Sequence, residues 1–279
     1  MTTRSESVTA GSEAEIGAVV DRLSSARANR RPCAPVRDLL PAGDVDAAYA
    51  VQSAWVAGQI AGGAVPIGRK IGLTNPAVQA QLGVDRPDFG VLLDTMACPP
   101  GTPIDTGRTL QPKIEAEIAF VLAHDLDQPI DGFAFTAAEV AAATDYVVPA
   151  LEIVDSRIAD WNIDIVDTVA DNASSGLFTL GGQRRRLDGL DLAGCAMTMH
   201  RGGELVSTGS GAACLGDPLN AVAWLATTAR DYGRPLRAGE IVLSGALGPM
   251  VPVAPGDTLH ARIADIGEIS ATFAKEAHT

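Results

Sequence analysis

Between Glu13 and Arg31, apolar residues recur at helical spacing, with Ile16, Val19, Val20 and Leu23 on one stripe. Pro32 and Pro35 end that helix. A second helix is predicted after Asp44, whose carboxylate can cap it. It runs through Ala48, Val51, Trp55 and Ile60 to the Gly62–Gly63 pair. Residues 1–63 therefore read as a helical N-terminal region.

From residue 64 the period shortens to two. Glycine and proline become frequent, and apolar runs become short and β-branched. VPIGRKIGL, Leu110–Leu122 and Val147–Val154 read as strands. Asn75–Pro76 has the cap chemistry to open a short helix, and Thr136 with Glu139 forms a capping box for another. CAMTMHRGGELVSTG reads as a hairpin turning at Gly202–Gly203. Asp217–Pro218 caps a helix through Trp224, Leu225 and Tyr232 that Gly233 ends. EIVLSG, PMVPV, TLHARIADIG and EISATFA complete the strands. Pro87–Gly90 reads as a turn, and Asp171–Gly176 as a polar loop. Many strands with few long helices predict an α+β fold with a closed or rolled sheet, not a doubly wound one. Residues 64–279 form its β-rich body. Without an internal repeat or long linker, that body and the helical region make one continuous unit.

Composition narrows the function. With 47% hydrophobic and 20% charged residues, the chain is not a disordered one. The net charge of −13 excludes nucleic acid and anionic membranes as partners. It also means that an anionic substrate would need local positive charge. Cys33, Cys98, Cys195 and Cys214 are too scattered for a zinc ribbon or a disulfide scaffold and read as free thiols. The four His form no H-x-x-x-H pair. The N-terminus lacks a signal-peptide pattern, and no apolar run reaches about 18 residues, so a cytoplasmic protein is expected.

Candidate chemistry is concentrated in three segments. Alternation along Lys113–Phe120 places Lys113, Glu115 and Glu117 on one strand face, opposite Ile114, Ala116, Ile118 and Phe120. Same-face neighbours lie about 7 Å apart, so the two carboxylates can reach one cation. They are an incomplete ligand set, and a solvated acidic face gives the same pattern. Glu152, alone within the apolar PALEIV strand, supplies a third carboxylate that burial would make costly without a partner. Three carboxylates without Cys or His suit Mg²⁺ or Mn²⁺. Lys70, between Gly68 and Gly72, could hold a carboxylate, polarise a keto oxygen or move a proton, or could belong to a surface Arg–Lys pair. Asp88 is a general base or a capping residue. Gly209–Cys214 lacks the third glycine of a dinucleotide fingerprint, and neither a Walker A motif nor a G-x-S-x-G elbow is present.

Five segments carry a resemblance: GRKIGLTNPAVQAQLGVDRPDFGVL, LQPKIEAEIAFVL, PALEIVDSRIADWNIDIVDTVADNASSG, CLGDPLNAVAWLA and LSGALGPMVPV. Together they resemble the 2-keto-4-pentenoate hydratase family of the fumarylacetoacetate hydrolase-like superfamily, in family order across roughly residues 35–274. The sister 4-oxalocrotonate decarboxylases share much of the set. The resemblance implies a β-rich mixed-strand roll of the fumarylacetoacetase C-terminal kind, with its site in the mouth, and a homo-oligomer. It implies a divalent metal, Mg²⁺ or Mn²⁺, on Glu115, Glu117 and Glu152, with Lys70 and Asp88 as catalytic residues. Asn172, Ser174, Ser244 and Gly245 would line the pocket. The implied reaction hydrates 2-hydroxypenta-2,4-dienoate, or a substituted relative, to a 4-hydroxy-2-oxo acid. The implied partner is thus a small 2-oxo or 2-hydroxydienoate anion. Decarboxylation of a 2-oxo acid is the enzymatic alternative, and a non-catalytic partner of a related enzyme the other.

Overall fold

The computed structural model describes residues 12–75, 79, 84 and 86–275. The short helix expected to open at Asn75–Pro76 lies outside the described residues. Helix α1 (Glu13–Ala28) starts at a Ser12–Glu15 capping box and buries Val19, Leu23 and Ala26. Helix α2 (Val45–Ala61) is capped by Asp44 and buries Ala48, Val51 and Trp55. Ile60, expected on the same stripe, is 46% exposed, because the stripe ends one turn before Gly62. Among the described residues no helix is long and apolar enough to cross a membrane.

Two sheets form the body. The larger contains β1 (Pro66–Gly72), β2 (Asp88–Leu93), β3 (Lys113–Leu122), β4 (Thr144–Val154), β5 (Ser175–Leu180), β8 (Ile241–Leu243) and β9 (Val251–Pro252). Its order is β2-β1-β8-β3-β4-β5, with β9 also paired to β3. The β1–β8 pair is parallel, and the remaining pairs are antiparallel. The smaller sheet contains β6 (Ala196–Arg201), β7 (Glu204–Ser210), β10 (Thr258–Ile263) and β11 (Gly267–Thr272), in the order β11-β10-β6-β7. It packs on β4 through β10 and β11. Helices α3 (Ala137–Ala143), α4 (Ile165–Ala170) and α5 (Pro218–Asp231) surround the strands, with α3 against α5 and α4 against α2.

Period-two alternation divides the side chains between two cores. Ile114, Ala116, Ile118 and Phe120 of β3 join Leu151 and Ile153 of β4 in the main cluster. Ala119, Val148, Ala150, Phe178 and Leu243 form part of a smaller cluster on the opposite face. Glu115, Glu117 and Glu152 share that second face by parity, so apolar packing on both sides fixes where the carboxylates point.

Two sequence expectations need correction. Pro87–Gly90 is not a turn, since Asp88 begins β2 and pairs with Gly72 of β1. Its local turn chemistry is overridden by pairing along the whole of β1. Strand β3 begins at Lys113, not Leu110. The amides of Leu110 and Gln111 donate to the Asp155 carboxylate, and Pro112 has none to donate, so neither ladder bond can form there.

The β1–β8 junction generates a stability prediction. A Cβ on Gly68 would lie 1.9 Å from the Ile241 carbonyl oxygen, whereas one on Gly58 of α2 would meet nothing within 4 Å. Gly68→Ala should cost about 2 kcal/mol by overpacking, and Gly58→Ala should be neutral or mildly stabilising. Urea unfolding of both variants is the check, and equal midpoints would refute the close approach.

Candidate functional site

The cross-strand register of β3 and β4 places Glu115 directly opposite Glu152 and Glu117 opposite Ala150. One carboxylate oxygen from each of the three glutamates lies within 4.8 Å of the other two. Glu117 and Glu152 are fully buried and Glu115 is half-buried. Like charges facing each other across strands repel, and burial removes the water that would screen them. Burial, then Glu152, pushes Glu115 up to about 7. Burial, then Glu152 and Glu115, raises Glu117 well above the carboxylate range.

The satisfied and unsatisfied atoms show what the cluster needs. Glu117 Oε2 accepts the Gly245 amide at 2.8 Å, while Oε1 has no hydrogen-bond partner. Neither oxygen of Glu152 has a hydrogen bond, although Oε1 pairs with Lys70 Nζ at 3.2 Å. Three converging carboxylates, with orphaned buried oxygens and only one close ammonium, fit a hard divalent cation. Sulfur and imidazole donors are absent from the cluster, which disfavours the softer metals.

Lys70 reaches this face from β1, where its register partners are Gly90 and Leu243. It is 3% exposed, so the surface-pair alternative does not describe it. Burial alone would pull its pKa down. The carboxylates of Glu152, Asp88, Glu115 and Glu117 outweigh that and raise it, so the ammonium stays charged.

Asp88 sits at the start of β2, 1% exposed, on the same face as Lys70 by the β1–β2 register. A Cβ on the opposed Gly72 would stand 2.1 Å from Asp88 Oδ1, so only glycine leaves room for this carboxylate. Thr168 Oγ1 donates to Oδ2 at 3.1 Å, and Oδ1 has no partner. Burial raises the Asp88 pKa, partly offset by Lys70 and Thr168.

The remaining candidates shape the surroundings. Asn172 commits its side-chain amide to Val91, accepting its N–H at 2.8 Å and donating to its carbonyl at 3.0 Å, and so bears on the site through β2. Ser174 Oγ lies 3.5 Å from Thr168 Oγ1. Asn172, Ala173 and Ser174 all have positive φ (53°, 52° and 51°), a strained run costing about 1 kcal/mol or more per residue. Arg157 holds it in place through an ion pair with Asp171 and donation to the Ser175 carbonyl at 2.7 Å. Gly245, at φ +98°, supplies the amide to Glu117, and the adjoining Ser244 is fully buried.

Sequence reasoning missed Thr168, Cys214, Arg157 and Asp171. Cys214 Sγ donates to the Gly245 carbonyl at 3.1 Å, bracing the turn that holds Glu117. Burial, then Glu117, pushes its thiol up to about 12. The one local signal for this group was Asp164, whose capping box opens α4 and thereby sets Thr168 toward Asp88.

The Fumarylacetoacetate (FAA) hydrolase C-terminal family model matches residues 68–274. The chain is 55% identical over 252 residues to 2-keto-4-pentenoate hydratase 2 of Dechloromonas aromatica (strain RCB), covering 90% of this chain and 95% of that one. It is 44% identical over 254 residues to 2-hydroxyhexa-2,4-dienoate hydratase of Comamonas testosteroni, covering 90% and 95%. A solved structure of 4-oxalocrotonate decarboxylase from Pseudomonas putida G7, complexed with magnesium and adipate, superposes with a TM-score of 0.88 at 37% identity. It covers 94% of this chain and 98% of that chain.

The carboxylate cluster predicts a metal effect readable without turnover. At a hundredfold excess over Kd, Mg²⁺ or Mn²⁺ should stabilise the fold by about 2.7 kcal/mol, raising Tm by about 5 °C or more. The shift should shrink as pH falls below about 7, because a protonated Glu115 must lose its proton before it can ligate. Glu117→Gln should diminish it at every pH. Scanning calorimetry with no metal-dependent shift, or the same shift in the variant, would remove these three residues as ligands.

Proposed function

We propose, from the premise that the chain belongs to the fumarylacetoacetate hydrolase family, that it is a hydro-lyase. It adds water to 2-hydroxypenta-2,4-dienoate, or a substituted relative, and gives a 4-hydroxy-2-oxo acid. The observation that carries this reading is the convergence of Glu115, Glu117 and Glu152 beside a buried, protonated Lys70. The names of the hydratase relatives at 55% and 44% identity support the choice of reaction.

A divalent cation, Mg²⁺ or Mn²⁺, held by the three glutamates would supply Lewis acidity to the substrate carboxylate and 2-oxygen. Lys70 contributes a fixed positive charge where negative charge develops as the 2-hydroxyl loses its proton. Protonation of the dienoate at C5 completes the change to the 2-oxo-3-enoate. Water then adds across C3 and C4, its oxygen to C4 and a proton to C3. In this reading Asp88 handles these protons at Oδ1, the oxygen that lacks a partner, while Thr168 holds Oδ2. Its raised pKa suits a group that must both take and return a proton. Asn172, Ser174, Ser244 and Gly245 complete the walls. The same reading makes the enzyme a cytoplasmic homo-oligomer that handles a small anion, without nucleic acid or membrane. Light scattering giving 28.7 kDa at micromolar concentration would refute the oligomer.

Decarboxylation of a 2-oxo acid uses the same charges, and the 0.88 TM-score to a decarboxylase keeps it as the second reading. Product analysis with Mg²⁺ separates them. The dienoate should yield 4-hydroxy-2-oxopentanoate, whereas CO₂ release from 4-oxalocrotonate without hydration would reverse the assignment. Lys70→Ala should lower kcat on the order of 10²-fold or more, and the loss should persist at saturating metal. The Glu117→Gln defect should instead shrink as metal rises. Near-normal kcat in Lys70→Ala would displace the catalytic centre from this cluster.

A further inference from the structure

Behind β1 and β2, on the side away from Lys70 and Asp88, lies a cavity of about 200 Å³. Its lining includes Tyr49, Gln52, Arg69, Phe89, Tyr232 and Arg234. Strand parity separates it from the carboxylate site: Arg69 pairs with Val91 and points opposite to Lys70, and Phe89 points opposite to Asp88.

Its walls are flat and aromatic. Tyr49 stacks on Phe89 with ring centroids 4.6 Å apart, and Tyr232 tilts against Tyr49 at 4.7 Å. Its floor is charged. Arg69 is 7% exposed, and its Nη1 donates to the Gly68 carbonyl at 3.0 Å and forms an ion pair with Glu240 Oε1 at 3.5 Å. Nε and Nη2 of Arg69 have no hydrogen-bond partner among the described residues. The Gln52 amide nitrogen donates to the Phe89 and Val169 carbonyls, which leaves its oxygen free of such bonds. Arg234 adds a second guanidinium at the exposed rim. The rim acid Asp46 is engaged by the Tyr232 hydroxyl at 2.7 Å. With Glu240 on one side of the guanidinium, Nε and Nη2 remain open to the cavity and offer a carboxylate two parallel donors, and an aromatic wall favours a flat π-system.

We propose that this cavity is a regulatory site for a planar conjugated monocarboxylate, with the carboxylate on Arg69 and the plane against the packed rings of Tyr49, Phe89 and Tyr232. The shared chemistry is that of an aromatic acid and of a conjugated dienoate. The occupant is one residue along the chain from Lys70 on β1 and from Asp88 on β2, so it bears on the two strands that present them. Ligand-induced displacement of either strand changes turnover without any contact with substrate.

The probes are benzoate and sorbate (2,4-hexadienoate), neither of which carries the 2-oxygen needed to chelate at the carboxylate cluster. Titration calorimetry is run on the full-length, Mg²⁺-loaded protein with saturating 2-oxopentanoate filling the carboxylate site. One equivalent of probe should bind, and the stronger of the two shows whether ring or diene is preferred. Arg69→Gln should weaken binding at least tenfold. In the wild type, the probe should change kcat at least twofold at saturating substrate. Tyr232→Ala should keep its basal turnover and lose that response. Should Arg69→Gln not fold, Tyr232→Ala and Arg234→Gln, both at exposed positions, carry the affinity comparison. Displacement of the probe by 2-oxopentanoate, unaltered affinity in the folded variants, or a kcat indifferent to the probe would each overturn the proposal.

Discussion

Glu115 stands across from Glu152 in the centre of a sheet, with Glu117 beside them and little water to separate their charges. No apolar side chain relieves that repulsion. Only a cation or a proton can do so, and the placement of the neighbouring groups follows from it. Lys70 supplies one charge from β1, and the Gly245 amide supplies one hydrogen bond from the turn after β8. Buried oxygens remain after both, as expected where a further positive group is to bind. The register of β3 on β4 must therefore be held against a force that opposes it. Ile114, Ala116, Ile118 and Phe120 hold it, because a one-residue slip would move all four out of the main core and the glutamates into it.

A similar economy governs Asp88. Its space comes from a missing Cβ at Gly72, and its fixed oxygen from Thr168 on a short helix. The loop after that helix carries three consecutive residues in the left-handed region. The loop does not hold itself: Asn172 is tied to β2, and Asp171 to Arg157, whose guanidinium also reaches the Ser175 and Asp155 carbonyls. Strain beside the Asp88 carboxylate is thus opposed by a buried ion pair on the far side of the loop. Such an arrangement costs stability locally and gains a fixed geometry.

The strands carrying the three glutamates were legible because alternation is a local property, and parity alone put those carboxylates on one face. The hairpin at Gly202–Gly203 and the caps at Asp44, Thr136 and Asp217 were legible for the same reason. Asp88 was placed in a turn because Pro87 and Gly90 carry turn chemistry. Its strand exists through pairing with β1, more than a dozen residues earlier. Arg157 and Cys214 lay beyond sequence reading altogether. Their roles are contacts with Asp171 and Gly245, 14 and 31 residues away, and neither position has a pattern that marks it. The rear cavity was equally hidden, since Tyr49, Arg69, Phe89 and Tyr232 come from four separate elements.

The net charge of −13 posed a difficulty for any anionic substrate, and the structure answers it by position. Lys70 is buried among carboxylates that hold its proton, so its charge acts through low-dielectric surroundings and is screened little by salt. Lys113 shares the strand face of Glu115 and lies 4.2 Å over the Trp161 ring. That ring is fixed by donation from its indole N–H to the Gln111 carbonyl at 3.1 Å. Burial lowers the Lys113 pKa and Glu115 opposes the shift, so its charge is coupled to the same cluster. The long-range field of the chain repels anions, but it falls off within about 10 Å in salt. Inside that distance the local groups govern, and there Lys70 is set among four carboxylates. With Glu115, Glu117, Glu152 and Asp88 around one lysine, an anion is attracted there only once a divalent cation joins Lys70, so the acidity of the chain is offset at one point and not along its surface.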